Sequence, residues 1–401
     1  MVKKVQLILL VVLTLMVVLA GCGTNSNEGG STGSQTTGAA ASGNQTPDNS
    51  AGETAAELQK VKIAVLPYFD YTLFVAAKEL GVDREQGIDL ELIPFTNESQ
   101  AVQALLNGSI DVAQGALGSF VPLLPNASEL RVVLNNNQFK GFVYIGREGE
   151  LKSFNQFLEE GNNDFATAQK ATMEQLKDKT FMMVESSFSG MLSSALENVG
   201  MGYGDIKVMN FQNDAQAATA FLRGEGDLYT GSLPQQMKIL KQPGYIAIAG
   251  NEALGAAGLW FSNTAVTADY LNDHKDVVER LAAVHYRMTR YLQVKPEAAL
   301  QPMIDYVKKN ASSDLTMDDA KQMIADFVVF NTVEESGEGV YAADSPLYWK
   351  KAADLFVKQN ESLGKIGAGS VKIDEVVQQE QIFKDLQGNQ ALMDWINSPI
   401  E

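Results

Sequence analysis

Cysteine is almost missing from this chain of 401 residues, Cys22 being the only one, so an internal disulfide is excluded. Histidine is nearly as scarce. His274 and His285 lie about three helical turns apart, too far to share one metal, and no metal-ligand spacing is met. No Gly-x-Ser-x-Gly elbow and no Walker loop occurs, which removes two common signatures of enzymes. Positive charge is short as well: 31 Lys and Arg stand against 49 Asp and Glu, for a formal net charge of -18. An acidic body repels nucleic acid and anionic lipid headgroups, so neither is an expected partner.

What is present begins with a signal. Lys3 and Lys4 precede an apolar run, Leu7 to Ala20, which ends in the small residues Ala20 and Gly21 before Cys22. That order reads as a secretory signal, and the run is shorter than the ~20 residues of a spanning helix. Leu19-Ala20-Gly21-Cys22 resembles the lipobox of bacterial lipoproteins. The resemblance implies cleavage before Cys22 and acylation of its thiol; two or three acyl chains hold a protein firmly. Loss of Lys3 and Lys4 takes the charge from -18 to -18 - 2 = -20. Gly23 to about Glu57 is Gly, Ser, Thr, Asn, Gln and Ala, a composition that cannot offset its ordering entropy and reads as a tether. The expected division is thus a signal over 1–21, a tether over 22–57 and a body from Leu58 long enough for two lobes.

The body contains a repeat. Phe95 to Leu117 recurs, without a gap, as Phe211 to Leu233, with Phe95, Asn97, Gln100, Ala101, Ala104, Leu106, Gly108, Asp111, Gly115 and Leu117 as identities. Ten of twenty-three positions exceed the one or two that average residue usage gives by chance. Glu98 and Asp214 match in charge. Upstream, Lys62 to Pro67 and Lys179 to Glu185 read as buried strands, each leading into a helix and a second apolar strand. Each half therefore reads strand, helix, strand, helix, strand. The expected fold class is α/β: two similar lobes with mixed, mainly parallel sheets and a helical C-terminal buttress. Gly108 and Gly224 fall where a left-handed helix cap favours Gly.

Several segments together resemble the type II periplasmic solute-binding proteins, in the branch with nitrate, sulfonate, taurine and thiamine-precursor binders. They are Pro67-Tyr-Phe, Ala76-Ala-Lys-Glu-Leu-Gly81, Gln86-Gly-Ile-Asp-Leu-Glu-Leu92, Ala104 to Ala113 and Leu176-Lys-Asp-Lys-Thr180. The likeness spans roughly residues 61 to 290. Lys152 to about Gln175 departs from it as an extra polar insertion, and the loop Glu185-Ser-Ser-Phe-Ser-Gly190 departs from the family's usual Gly-Ser or Gly-Thr pair. The resemblance implies crossings near Phe139 to Ile145 and Ile246 to Phe261. One lobe is then 58–142 plus 262–401, the other 143–261. It also implies a monomer, lipid-anchored outside the cytoplasmic membrane, that delivers a solute to the permease of an ABC importer.

In open α/β sheets ligands bind beyond the carboxyl ends of the strands. Four loops lie there: Pro67 to Tyr71, Gln114 to Ser119, Glu185 to Gly190 and Tyr229 to Ser232. Ser119, Ser186, Ser187, Ser189 and Gln114 offer hydrogen bonds at helix starts, where serine also serves as a plain cap. Tyr68, Tyr71, Tyr229 and Trp260 offer half-polar rings, which core packing would explain equally. Asp70 and Glu185 are the only charges in the four loops, which contain no Lys or Arg. Lacking a bidentate Arg for an anion, the set favours a neutral or partly cationic organic solute, such as a nitrogen heterocycle of the thiamine-precursor kind. An alkanesulfonate, taurine or nitrate held by helix N-termini is the alternative. Asn135, Asn136 and Asn137 read as a polar turn. No cofactor, metal or catalytic residue is expected. An enzyme related to the thiamine-pyrimidine synthases lacks its Cys-rich segment here, and a sensory module is a further rival.

Overall fold

The computed structural model describes residues 58–254, 258 and 260–400. Cys22, the signal and the tether lie outside the described residues.

The first half opens with β1 (Gln59–Val65), whose Val61, Ile63, Ala64 and Val65 are fully buried, as suits a strand covered on both faces. It pairs in parallel with β2 (Ile88–Pro94). The chain then passes through the helix Glu98–Leu106 to β3 (Ala113–Ala116) and on to β4 (Leu130–Phe139). The second half repeats this order with β6 (Thr180–Met183), helix Glu185–Glu197, β7 (Lys207–Asn210), helix Asp214–Leu222 and β8 (Leu228–Tyr229).

Two strands exchange places. After β4 the chain crosses through Lys140, Gly141 and Phe142 into β5 (Val143–Arg147), which lies antiparallel between β8 and β9 (Tyr245–Gly250). After β9 it returns as β10 (Trp260–Thr267), antiparallel between β3 and β4. The second sheet runs β7-β6-β8-β5-β9. In the first, β3-β10-β4-β11 is joined to the β1-β2 pair through a parallel bridge between Ile63 and Val112, with β11 (Val328–Val329) at the far edge. Both sheets thus share one order: second strand, first, third, a strand lent from across the chain, and fourth. The expected α/β class and its mainly parallel first strands are found.

The repeat has local causes. Asn97 and Asn213 cap their helices, each side-chain oxygen accepting from an N–H three residues on, at Gln100 and Gln216, both at 3.0 Å. Gly108 and Gly224 follow those helices with φ of +74° and +95°, where any other residue strains. Asp111 and Asp227 each reach back to the opening strand of their own sheet, accepting from the N–H of Lys62 and of Thr180 at 2.8 Å.

The insertion forms two helices, Phe154–Glu160, closed by a Ser153–Gln156 capping box, and Phe165–Glu174. Beyond β10 the chain is mainly helical. Lys275–Val294 presents Val277, Leu281, Val284 and Met288 to the core at helical spacing. Later helices tie back to the second half: Lys241 pairs with Asp319 at 2.8 Å, and Ser362 donates to Glu197 at 3.0 Å. No described helix is long and apolar enough to cross a membrane.

Candidate functional site at the meeting of the two sheets

The loops that follow β1, β6 and β8 meet the ends of β4 and β10 around one small cavity of about 30 Å³. Tyr68, Asp70 and Tyr71 enter from the turn after β1, and Glu98 from the first turn of its helix. Ser187 and Phe188 come from the start of helix Glu185–Glu197, and Gly231, Ser232 and Leu233 from the start of helix Leu233–Leu240. Phe139, Phe142 and Trp260 close the side next to the crossings. Among the described residues no Lys, Arg or His lines it. A larger depression of about 880 Å³ beside the insertion is open surface lined by Glu148, Lys152 and Phe157, without converging strand ends.

Five of the residues proposed from sequence share this cavity: Tyr68, Asp70, Tyr71, Ser187 and Trp260. The others lie around it. Gln114 sits beneath, donating to the carbonyls of Ala64 at 2.9 Å and Tyr71 at 3.2 Å, and so fixes the turn after β1. Ser119 is buried with its hydroxyl unpartnered. Glu185 is half-buried outside the wall, accepting from the Tyr203 hydroxyl at 3.1 Å, and Ser186 is exposed. Ser189 accepts from the Lys365 ammonium at 3.0 Å. Tyr229 stands behind the wall, buried against Phe221.

The asparagine run is not a turn. Asn135, Asn136 and Asn137 lie inside β4 and are buried. Asn136 donates to Gln114 at 3.3 Å and accepts from the Thr264 hydroxyl at 2.8 Å, while Asn137 donates to the Asp70 carbonyl at 2.9 Å. Strand pairing satisfies the backbone, and these long-range bonds satisfy much of the side-chain polarity.

Glu98 is the second carboxyl of the cavity, and only its charge match to Asp214 in the repeat pointed to it. It is 3% exposed and accepts from the Ser187 hydroxyl, a bond that links helices of the two sheets. Burial pushes its carboxyl up to about 7, the Ser187 bond opposing. Asp70, accepting from the Ser262 hydroxyl at 2.6 Å, is pushed up to about 6 by the same cause. Asp214 accepts from the Tyr229 hydroxyl at 2.7 Å, the Ser232 N–H at 2.9 Å and the Ser232 hydroxyl. Burial raises it too, against those bonds. Gly231 must be glycine beside it: a Cβ there would fall 2.1 Å from Asp214 Oδ1.

The walls are aromatic. Trp260 stands edge-on to Phe142 at 5.1 Å and to Phe356 at 5.2 Å, and Phe142 edge-on to Phe188 at 6.2 Å. The Tyr68 and Tyr71 rings lie 5.9 Å apart. Burial and then the nearby carboxyls hold both phenols well above their ordinary range, so they stay neutral. Among the described residues no group of three or more His, Cys, Asp and Glu could hold a metal ion.

Two sheets of one order, each completed by a strand from across the chain, with a cavity at their meeting strand ends, make up the periplasmic-binding-protein fold. The chain belongs to the NMT1-like family, whose model matches residues 54–303. No curated protein matches it. Among solved structures it is similar to the periplasmic nitrate-binding protein NrtA from Synechocystis PCC 6803, with a TM-score of 0.62 and 14% identity over 85% of this chain and 92% of that one. The ligand-binding component of an ABC-type import system from Staphylococcus aureus, with zinc bound, aligns at 0.60 and 15% over 82% and 99%. The periplasmic aliphatic sulphonate-binding protein SsuA from Escherichia coli aligns at 0.57 and 17% over 81% and 99%. Identities this low carry the fold and not the ligand.

Proposed function

We propose that this protein is an exported lipoprotein that captures a small organic solute between its two halves and hands it to the permease of an ABC importer. The observation that carries the reading is the cavity itself, whose wall is drawn from loops of both sheets and which no segment among the described residues fills. Residues 58–142 with 262–401 act as one lobe and 143–261 as the other. A cavity of about 30 Å³ is too small for an organic solute, so a solute enters when the lobes part about the crossings and is enclosed when they close. Tyr68, Asp70, Tyr71, Ser187 and Trp260 are the contacts proposed from sequence that line the closed cavity; Glu98 joins them. The aromatic walls and the lack of a lining Lys or Arg favour a flat nitrogen-containing solute, a thiamine precursor among them, over nitrate, taurine or an alkanesulfonate.

A thermal-shift panel of thiamine precursors, flavins, sulfonates, taurine and nitrate tests this, since a solute that binds the folded state alone raises its melting temperature. A response to nitrate or taurine alone would sink the heterocycle preference. The lipid on Cys22 has a separate task, holding the trap near its permease. Cys22→Ala is expected to leave the protein uncleaved or released into the medium, with solute affinity unchanged. Fractionation and a binding curve on the released protein check both halves of that statement.

A further inference from the structure

The two matched acids of the repeat are employed differently. Asp214 accepts three hydrogen bonds, from the Tyr229 hydroxyl and from the N–H and hydroxyl of Ser232, within its own half. Glu98 and Asp70 each receive one side-chain hydroxyl, from Ser187 and Ser262, although an ionised carboxylate offers about four acceptor sites. Both line the cavity, and so does Tyr68, 5% exposed, whose buried hydroxyl lies near Ser187 but makes no well-formed hydrogen bond among the described residues. Two buried carboxyls with spare acceptor capacity, an orphaned hydroxyl and no lining cation form a cradle that lacks only a donor-rich positive group. Resting on the reading of this cavity as the solute site, we propose that it takes a small organic cation: an ammonium, amidinium or guanidinium whose N–H groups are shared by Asp70, Glu98 and Tyr68. The carbon body of that cation packs on Phe142, Phe188 and Trp260, whose ring faces favour positive charge. Anions are rejected by the same two carboxyls. A neutral solute leaves them either charged without a counterion or protonated.

Binding a cation returns the pair to its ionised form, so capture near neutral pH releases protons. Asp70 acts on Glu98, both carboxyls act on Tyr68 and Tyr71, and Asp214 acts on Tyr68; none of these groups carries positive charge.

The experiment is titration calorimetry on the full chain in detergent at pH 7, with two charge-only pairs as probes: methylguanidinium against methylurea, and benzamidinium against benzamide. Taurine and nitrate are run beside them. At least one cation is expected to bind about tenfold or more tighter than its neutral isostere. Its heat should differ between buffers of unequal ionisation enthalpy, which reports the released proton. Glu98→Gln and Asp70→Asn, which keep shape and lose charge, should each erase the preference and the buffer dependence. If either variant fails to fold, the wild-type pairs still decide. Equal binding of both members of each pair, or binding of taurine or nitrate alone, overturns the cation assignment and leaves solute capture standing. Silence from every probe here and from the heterocycle panel overturns both.

Discussion

At pH 8 the Glu98→Gln protein should melt higher than the parent, and the advantage should vanish near pH 4. Burial lifts the Glu98 carboxyl from its ordinary 4.5 to about 7. Below about pH 4.5 the group is neutral whether the chain is folded or not. Between there and pH 7 the folded protein keeps a proton that the unfolded chain gives up, so stability falls as pH rises. Above pH 7 the loss is complete, with a charge shut in beside one hydroxyl donor. A shift of this size corresponds to roughly 3 kcal/mol, which glutamine escapes because it never ionises. Asp70, lifted from 3.8 to about 6, adds a loss of the same sign over a lower window. His285 acts in the opposite direction. Burial lowers it to about 3, so its neutral form adds stability as pH rises from there toward 6.5. Other shifted groups, Asp214 among them, shape the parent's pH curve as well, and the difference between parent and variant isolates Glu98. Urea unfolding at pH 4, 6 and 8 measures that difference. A gap that does not widen with pH would show that the carboxyl is not held uncharged.

Trp260→Ala should cost about 3–5 kcal/mol, the range for removing a buried large ring. Trp260 opens β10 and is 5% exposed. Its ring joins three segments far apart in sequence: Phe142 at the first crossing, Phe356 on helix Trp349–Ser362, and Gly118, where a Cβ would lie 2.7 Å from the indole. Alanine leaves a hole that those segments close only by shifting, and it removes one wall of the cavity. Trp260→Phe retains much of the packing and should lose less. Denaturant unfolding reads both as a lower midpoint at an unchanged slope. A loss under ~1 kcal/mol for alanine would mean that the three-way stack carries little of the stability.

The repeat announced the fold because its residues act locally. Asn97 and Asn213 cap three residues on, and Gly108 and Gly224 turn the chain, so a matched spacing is enough to find them. Asp111 and Asp227 also recur, but their partners in the neighbouring strand could not be read off the chain. Polarity was harder. Three asparagines in a row resemble a loop until Gln114, Thr264 and the Asp70 carbonyl, all distant in sequence, are seen to meet them. Glu98 was visible as a charge match but not as a buried one, because burial depends on Ser187 and the turn after β1 closing over it. In the loop after β6 the helix begins at Glu185, so successive side chains turn by about 100°: Ser187 and Phe188 face the cavity while Ser186 faces solvent.

The strand exchange also sets an order of events in time. β3 and β4 pair with β10 and not with each other, so the first sheet stays in two pieces until Thr267 has been made. Contacts between residues so far apart in sequence form slowly, since the intervening chain must first be gathered. Folding is thereby delayed until the second half is in hand. A chain that stays open that long can still be threaded through a narrow pore, which suits the export proposed for this protein.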